Sequence, residues 1–194
     1  MKTVKNNKIA FTLSEVLITL AVIGIVASLT LPNLIADHTK KTYVASHKKV
    51  QLVINNTLSL MNTDRVLTTY NSTEEFVDGL SEYLKIVKRC NKKELKNCFA
   101  ENIIIKPGGG VQALYPLDSA YDASFFGQNW HTNVAGIVLA DGVSMILSYN
   151  PNCTKRNERD CMAAYYDVNS KTKGNILLTN DMEHSDIGQY NVFP

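Results

Sequence analysis

The chain has 194 residues, enough for one domain with a real core plus an extra element. Its hydrophobic share of 45% excludes a disordered chain. The formal net charge is +2, and Lys2, Lys5 and Lys8 account for three positive charges, so the remainder carries one net negative charge and bulk attraction to nucleic acid is excluded.

Residues 11–35 read FTLSEVLITLAVIGIVASLTLPNLI. From Val16 to Ile35 no residue is charged. At about 1.5 Å per residue that stretch makes roughly 30 Å of helix, one bilayer core. A basic start, an apolar stretch and small residues at Ala27 and Ser28 also fit an ordinary export signal, cut after Ala27. The stretch is long for a signal, however. It also holds Glu15, and an unpaired carboxylate is costly in lipid. A charge kept there calls for a partner.

The run Lys8-Ile9-Ala10-Phe11-Thr12-Leu13-Ser14-Glu15 resembles the processing motif of type IV pilins and type II secretion pseudopilins. The resemblance implies cleavage between Ala10 and Phe11 by a prepilin peptidase, then N-methylation of Phe11. Alanine at position 10 departs from the glycine usual in that family. Glu15 matches the family's acidic residue, which there meets the Phe11 amine of a neighbouring subunit. Such a pair sets register, because a wrong register leaves two charges unpaired. The plainer reading is that Glu15 snorkels to the membrane surface.

Pro32 matches the position where the family kinks its long helix. The implied fold class is α+β and pilin-like: a long kinked N-terminal helix packed on a small antiparallel β-sheet. Residues 1–10 would be a leader, 11–35 the transmembrane and filament-core half of the helix, and 36–194 a globular head. The implied function is that of a structural subunit of a type IV pilus or type II secretion pseudopilus. Its implied partners are other pilin-like subunits, a peptidase and methylase, an inner-membrane assembly platform and the membrane itself. Its implied place is the bacterial inner membrane, then a periplasmic or extracellular filament. A membrane-anchored or secreted binding module is the rival reading. Lysines on both sides of the span, Lys2, Lys5 and Lys8 against Lys40, Lys41, Lys48 and Lys49, leave orientation undecided by charge.

Beyond Pro32, which predicts a kink or a locally melted turn, helical spacing resumes over 36–61. Tyr43, His47, Val50, Ile54, Leu58 and Met61 recur every three or four residues as a core stripe. Residues 62–71 read as a loop. Ser72-Thr73-Glu74-Glu75 is a capping box, and Phe76, Leu80, Tyr83, Leu84 and Val87 extend a second helix over about 73–89.

Cys90, Cys98, Cys153 and Cys161 form two local pairs with seven residues between partners. Four cysteines allow three connectivities, and loop closure favours Cys90–Cys98 and Cys153–Cys161. Zinc ligands usually stand closer in sequence. Disulfides also place the head in an oxidising compartment.

Antiparallel strands are expected over about 103–193. Ile103, Ile104 and Ile105 form a β-rich run stopped by Pro107 and three glycines. Val134–Leu139 and Val143–Tyr149 flank Ala140-Asp141-Gly142, a hairpin signal. Met162–Val168 and Tyr190–Phe193 read as further strands.

Asp167-Val168-Asn169 reads first as an Asx turn after a strand. It also resembles the C-terminal loop of some pseudopilins, which implies calcium held by Asp167, Asn169 and Asp181. Calcium needs many oxygen ligands. Lys85, Lys88, Arg89, Lys92, Lys93 and Lys96 make the densest basic segment, with Lys155, Arg156 and Arg159 in the other cysteine loop. They suit DNA, as in competence pilins, or an acidic partner. With no aromatics between them a stacking platform for single strands is unsupported, and a solvated face is the plainer reading. His38, His47, His131 and His184 lie far apart, and no nucleophile elbow or phosphate loop is present, so an enzyme is not expected.

Overall fold

The computed structural model describes residues 12–64, 67–106, 113–153, 161–169, 176–178 and 185–191. The chain divides into two compact units, residues 1–39 and 40–194. The first helix, α1, spans Leu13–Asp64.

Within the first unit the helix exposes its apolar side chains on every side, among them Leu17, Ile18, Leu20, Ile23 and Ile25. Its hydroxyls turn back onto their own backbone: Thr19 Oγ1 donates to the Val16 carbonyl at 2.9 Å, Ser28 Oγ to Ile25 at 2.8 Å and Thr30 Oγ1 to Val26 at 2.9 Å. The surface is therefore apolar even where the sequence is polar. Pro32 lies inside the helix, and the helix is unbroken there. Of the two alternatives expected at Pro32, a kink or a locally melted turn, the melted turn is absent. A proline removes one ladder bond and crowds one carbonyl, which a helix with intact turns on both sides tolerates.

In the second unit α1 buries His47, Val50, Ile54, Thr57 and Met61, at alternating spacings of three and four. The next helix, α2, spans Thr73–Tyr83. Ser72 caps it, its side chain accepting from the Glu75 N–H at 3.1 Å. The Glu75 carboxylate reaches back one residue further than a standard box and accepts from the Asn71 N–H at 2.9 Å. Phe76, Val77 and Leu80 fill the core below.

Among the described residues eight strands follow: β1 Ile86–Cys90, β2 Asn102–Lys106, β3 Ala113–Pro116, β4 Ala135–Leu139, β5 Ser144–Tyr149, β6 Met162–Asp167, β7 Ile176–Leu178 and β8 Ile187–Asn191. The expected second helix to residue 89 is corrected here. It stops at Tyr83, Leu84 turns extended, and Ile86–Cys90 pairs antiparallel with β4. The β-branched Ile86 and Val87 suit that edge position, and pairing outweighs local helical spacing.

The main sheet has five strands in the order β1-β4-β5-β6-β8, all antiparallel. A second sheet, β3-β2-β7, includes a parallel pairing of β2 with β7, so the head is not a single antiparallel meander. The β4–β5 hairpin turns at Ala140-Asp141-Gly142, where Gly142 takes a φ of 91° that a side chain would strain. Both faces of the main sheet are covered. Met145, Leu147, Tyr149, Ala164 and Tyr166 pack in one core with Val50, Ile54, Phe76 and Leu80 from the helices. Ile146, Ala163, Tyr165 and Ile187 point into a second core with Phe99, Ile103 and Phe126. This period of two makes β5 and β6 buried throughout. The layout is α+β and pilin-like, a long N-terminal apolar helix with a mostly antiparallel five-stranded sheet.

Candidate assembly site at the helix N-terminus

Thr12 and Glu15 close a capping box at the start of α1. Thr12 N and Thr12 Oγ1 each donate to Glu15 Oε2 at 2.9 Å, and Glu15 N donates back to Thr12 Oγ1 at 3.2 Å. The carboxylate thus sits at the positive end of the helix dipole with two donors on one oxygen. The sequence carries the signal, a threonine followed three residues later by glutamate, which is easily missed when Glu15 is read only as a misplaced charge. Ala10 and Phe11, the residues of the expected cleavage, lie outside the described residues.

By length and composition, α1 can cross a membrane. A family model described as the prokaryotic N-terminal methylation motif matches residues 5–31. The chain carries a prepilin motif of the type IV pilin and pseudopilin kind. No curated protein and no solved structure matches the chain. A prepilin motif implies peptidase processing and assembly with other pilin-like subunits, and proteins that bear it are structural subunits. With an apolar N-terminal helix it is compatible with a membrane-anchored bacterial protein.

In the head of this prepilin-type chain the cysteines form two bridges, Cys90–Cys98 and Cys153–Cys161, with Cα–Cα distances of 6.0 and 5.0 Å. The first lies over Gly136 of β4, where a Cβ would stand 3.0 Å from that of Cys98. Lys155, Arg156 and Arg159, between the second pair, lie outside the described residues.

At the end of β6 the Asx turn is present: Asn169 N donates to Asp167 Oδ1 at 2.8 Å. Asn169 Nδ2 also donates to Asp186 Oδ2 at 3.1 Å, so one asparagine joins two buried carboxylates. Asp186 Oδ1 accepts from the Ile176 N–H at 2.6 Å. Across the ladder from Asp167 stands Ser144, whose buried Oγ has no hydrogen-bond partner among the described residues. Among the described residues no three His, Cys, Asp or Glu side chains gather as a metal set. Calcium accepts mixed oxygen donors, however, and two carboxylates beside an orphaned hydroxyl are of the right chemistry. Asp181 and His184 lie outside the described residues.

His47 clasps helix to sheet. Its Nε2 is 2.7 Å from the Ser185 carbonyl and its Nδ1 is 3.3 Å from the Tyr166 hydroxyl. Burial pushes the Tyr166 hydroxyl up to about 12, so it keeps its proton at neutral pH and donates to Nδ1. Nε2 then carries the ring hydrogen and donates to the carbonyl. His47 serves packing here.

Proposed function

We propose that the chain is a filament subunit of a type IV pilus or a type II secretion-like pseudopilus. The observation that carries this reading is an apolar helix surface left uncovered, at Leu17 to Ile35, on a helix whose start matches the methylation motif. A helix apolar all round needs lipid or like helices about it. On this reading the peptidase cuts between Ala10 and Phe11, and Phe11 is methylated. The subunit waits in the inner membrane. An assembly platform, driven by a cytoplasmic motor, then draws it into a bundle. Glu15 sets register against the Phe11 amine of the next subunit, and Pro32 absorbs a bend. The head faces the periplasm or the medium.

The test is the intact mass and N-terminal sequence of the chain from its native membrane or sheared surface fraction. A chain beginning at methylated Phe11 supports the reading. A chain beginning near Ser28 makes it an export signal, and the filament reading falls.

Calcium at the β6 turn is part of the same proposal, held by Asp167, Asn169 and Asp181, with Asp186 and Ser144 close by. Ser144 Oγ, buried without a partner among the described residues, supports it. Calcium should raise the melting temperature of the full chain in detergent, and Asp181→Asn should abolish the rise. An unchanged wild-type melting temperature would remove calcium from the account.

A further inference from the structure

Two patches of opposite charge lie side by side on the head. Along α2, Glu74, Asp78 and Glu82 are exposed at spacings of four, so they share one face, with Glu75 half-buried beside them. No lysine or arginine lies within α2 to offset them. From Lys85 through β1 into the first cysteine loop, Lys85, Lys88, Arg89, Lys92, Lys93 and Lys96 carry six positive charges against the single acid Glu94. All six are exposed, and β1 is an edge of the main sheet, with the exposed Val87 near its start, where the register with β4 shifts. Asn133 bridges the two patches, accepting from Lys92 Nζ at 3.0 Å and donating to Glu74 Oε1 at 3.2 Å. Arg89 to Asp78 is the one ion pair that joins them among the described residues. The bridge Cys90–Cys98 and the Lys88 Nζ bond to the Asn97 carbonyl hold the basic segment in place.

A charge patch on its own is a solvated face. Here each patch has its complement on the same molecule. Like charges at a spacing of four oppose one another along α2, and an opposing patch relieves that repulsion. We propose that these patches are the two halves of a head-to-head contact, the acidic face of α2 on one copy docking against the basic β1 edge of a second copy of this chain. The inference rests on the filament reading above. In a membrane all copies insert their helices in one direction, so neighbouring heads stand parallel. A parallel contact joins two different patches and repeats without closing, which is the interface type that builds filaments. Val87 supplies an apolar centre within a charged rim.

The experiment uses the full chain in the cells that make it, with filaments sheared and weighed against subunit left in the membrane. The variants are Lys85→Glu with Lys93→Glu, Glu74→Lys with Glu82→Lys, and all four together. Arg89 and Asp78 are untouched. Each pair alone should lower filament yield about tenfold, and the fourfold variant should regain most of it, because reversal of both patches restores attraction. Blocked thiols in every variant show that the bridges, and so the heads, have formed. If a variant loses its bridges, wild-type filaments decide: rising salt should release subunits, and filaments indifferent to salt overturn the proposal. Wild-type yields from both pairs also overturn it. So does loss of DNA retention at normal yield, which would assign the basic patch to a polyanion. Absence of wild-type filaments, with no methylated Phe11, would strike the filament reading itself.

Discussion

Thr12 and Glu15 satisfy each other at the first turn of α1, with two Thr12 donors on one Glu15 oxygen and the Glu15 amide returned to the Thr12 hydroxyl. Glu15 therefore caps its own helix, and on the filament reading proposed above it has a second, separable task as a charge offered to a neighbour. Glutamine can keep the cap but not the charge. Glu15→Ala and Glu15→Gln should both insert normally and both fail to give filaments. Thr12→Val should be milder, since it loses part of the cap and keeps the charge. Sheared filament yield against membrane-bound subunit is the measurement. Normal filaments from Glu15→Gln would reduce Glu15 to a cap.

Two tyrosine rings lie close against glycines. Tyr166 covers Gly188, its partner across β6 and β8, and Tyr70 covers Gly79 of α2. A Cβ at either glycine would meet ring atoms well inside contact distance. Gly188→Ala and Gly79→Ala should each destabilise the head by about 1–3 kcal/mol through overpacking. At Gly24 nothing lies within 4 Å of a built Cβ, so Gly24→Ala should leave the head unchanged. Thermal unfolding of the full chain in detergent separates the three.

His47 carries a buried hydrogen-bond chain rather than chemistry. Phenylalanine in its place fills the space but leaves the Ser185 carbonyl without the imidazole N–H. His47→Phe loses both hydrogen bonds of the ring and should cost about 1–3 kcal/mol. Denaturant midpoints of wild type and variant measure it. An unchanged midpoint would mean that other groups satisfy this carbonyl.

The hairpin tip is tied to α1 by Lys49 Nζ and Asp141 Oδ2, 2.8 Å apart. Burial pushes the Asp141 carboxyl up, but the Lys49 bond and the Val143 N–H outweigh it, so its value lies below the ordinary one. A carboxyl lowered in the fold adds stability above its unfolded value of about 3.9. That stability is lost as pH falls through the folded value. Both side chains are exposed, so water screens the pair to below about 1 kcal/mol. Asp141→Asn should be slightly less stable than wild type at neutral pH, and the two should converge once pH has fallen below the folded value of Asp141.

Much of this fold is legible from local signals. Ser72 and Glu75 mark the start of α2, and Asp141-Gly142 marks the hairpin. What is not legible depends on distant pairing. Val87 continues the helical spacing of Leu80 and Leu84, and only β4 makes it a strand. β7 is three residues whose place comes from β2, a parallel partner far back in the chain. At the candidate site, Glu15 stands out because charge in an apolar run is conspicuous. Thr12 does not, since its role appears only in its bonds. Ser144 gains meaning only when register sets it opposite Asp167.

His47 bonds to a residue 138 positions away, and the Tyr190 hydroxyl donates to Asn55 Oδ1 across 135. The helix face between them is therefore held partly by residues far along the chain. Contacts of such span form late in folding. A chain lacking Ser185 and β8 would keep the packing of Val50 and Ile54 on α2 and β5 but lose both of these polar ties. The clasp thus makes the seating of α1 in the head depend on segments far apart in the chain meeting at once.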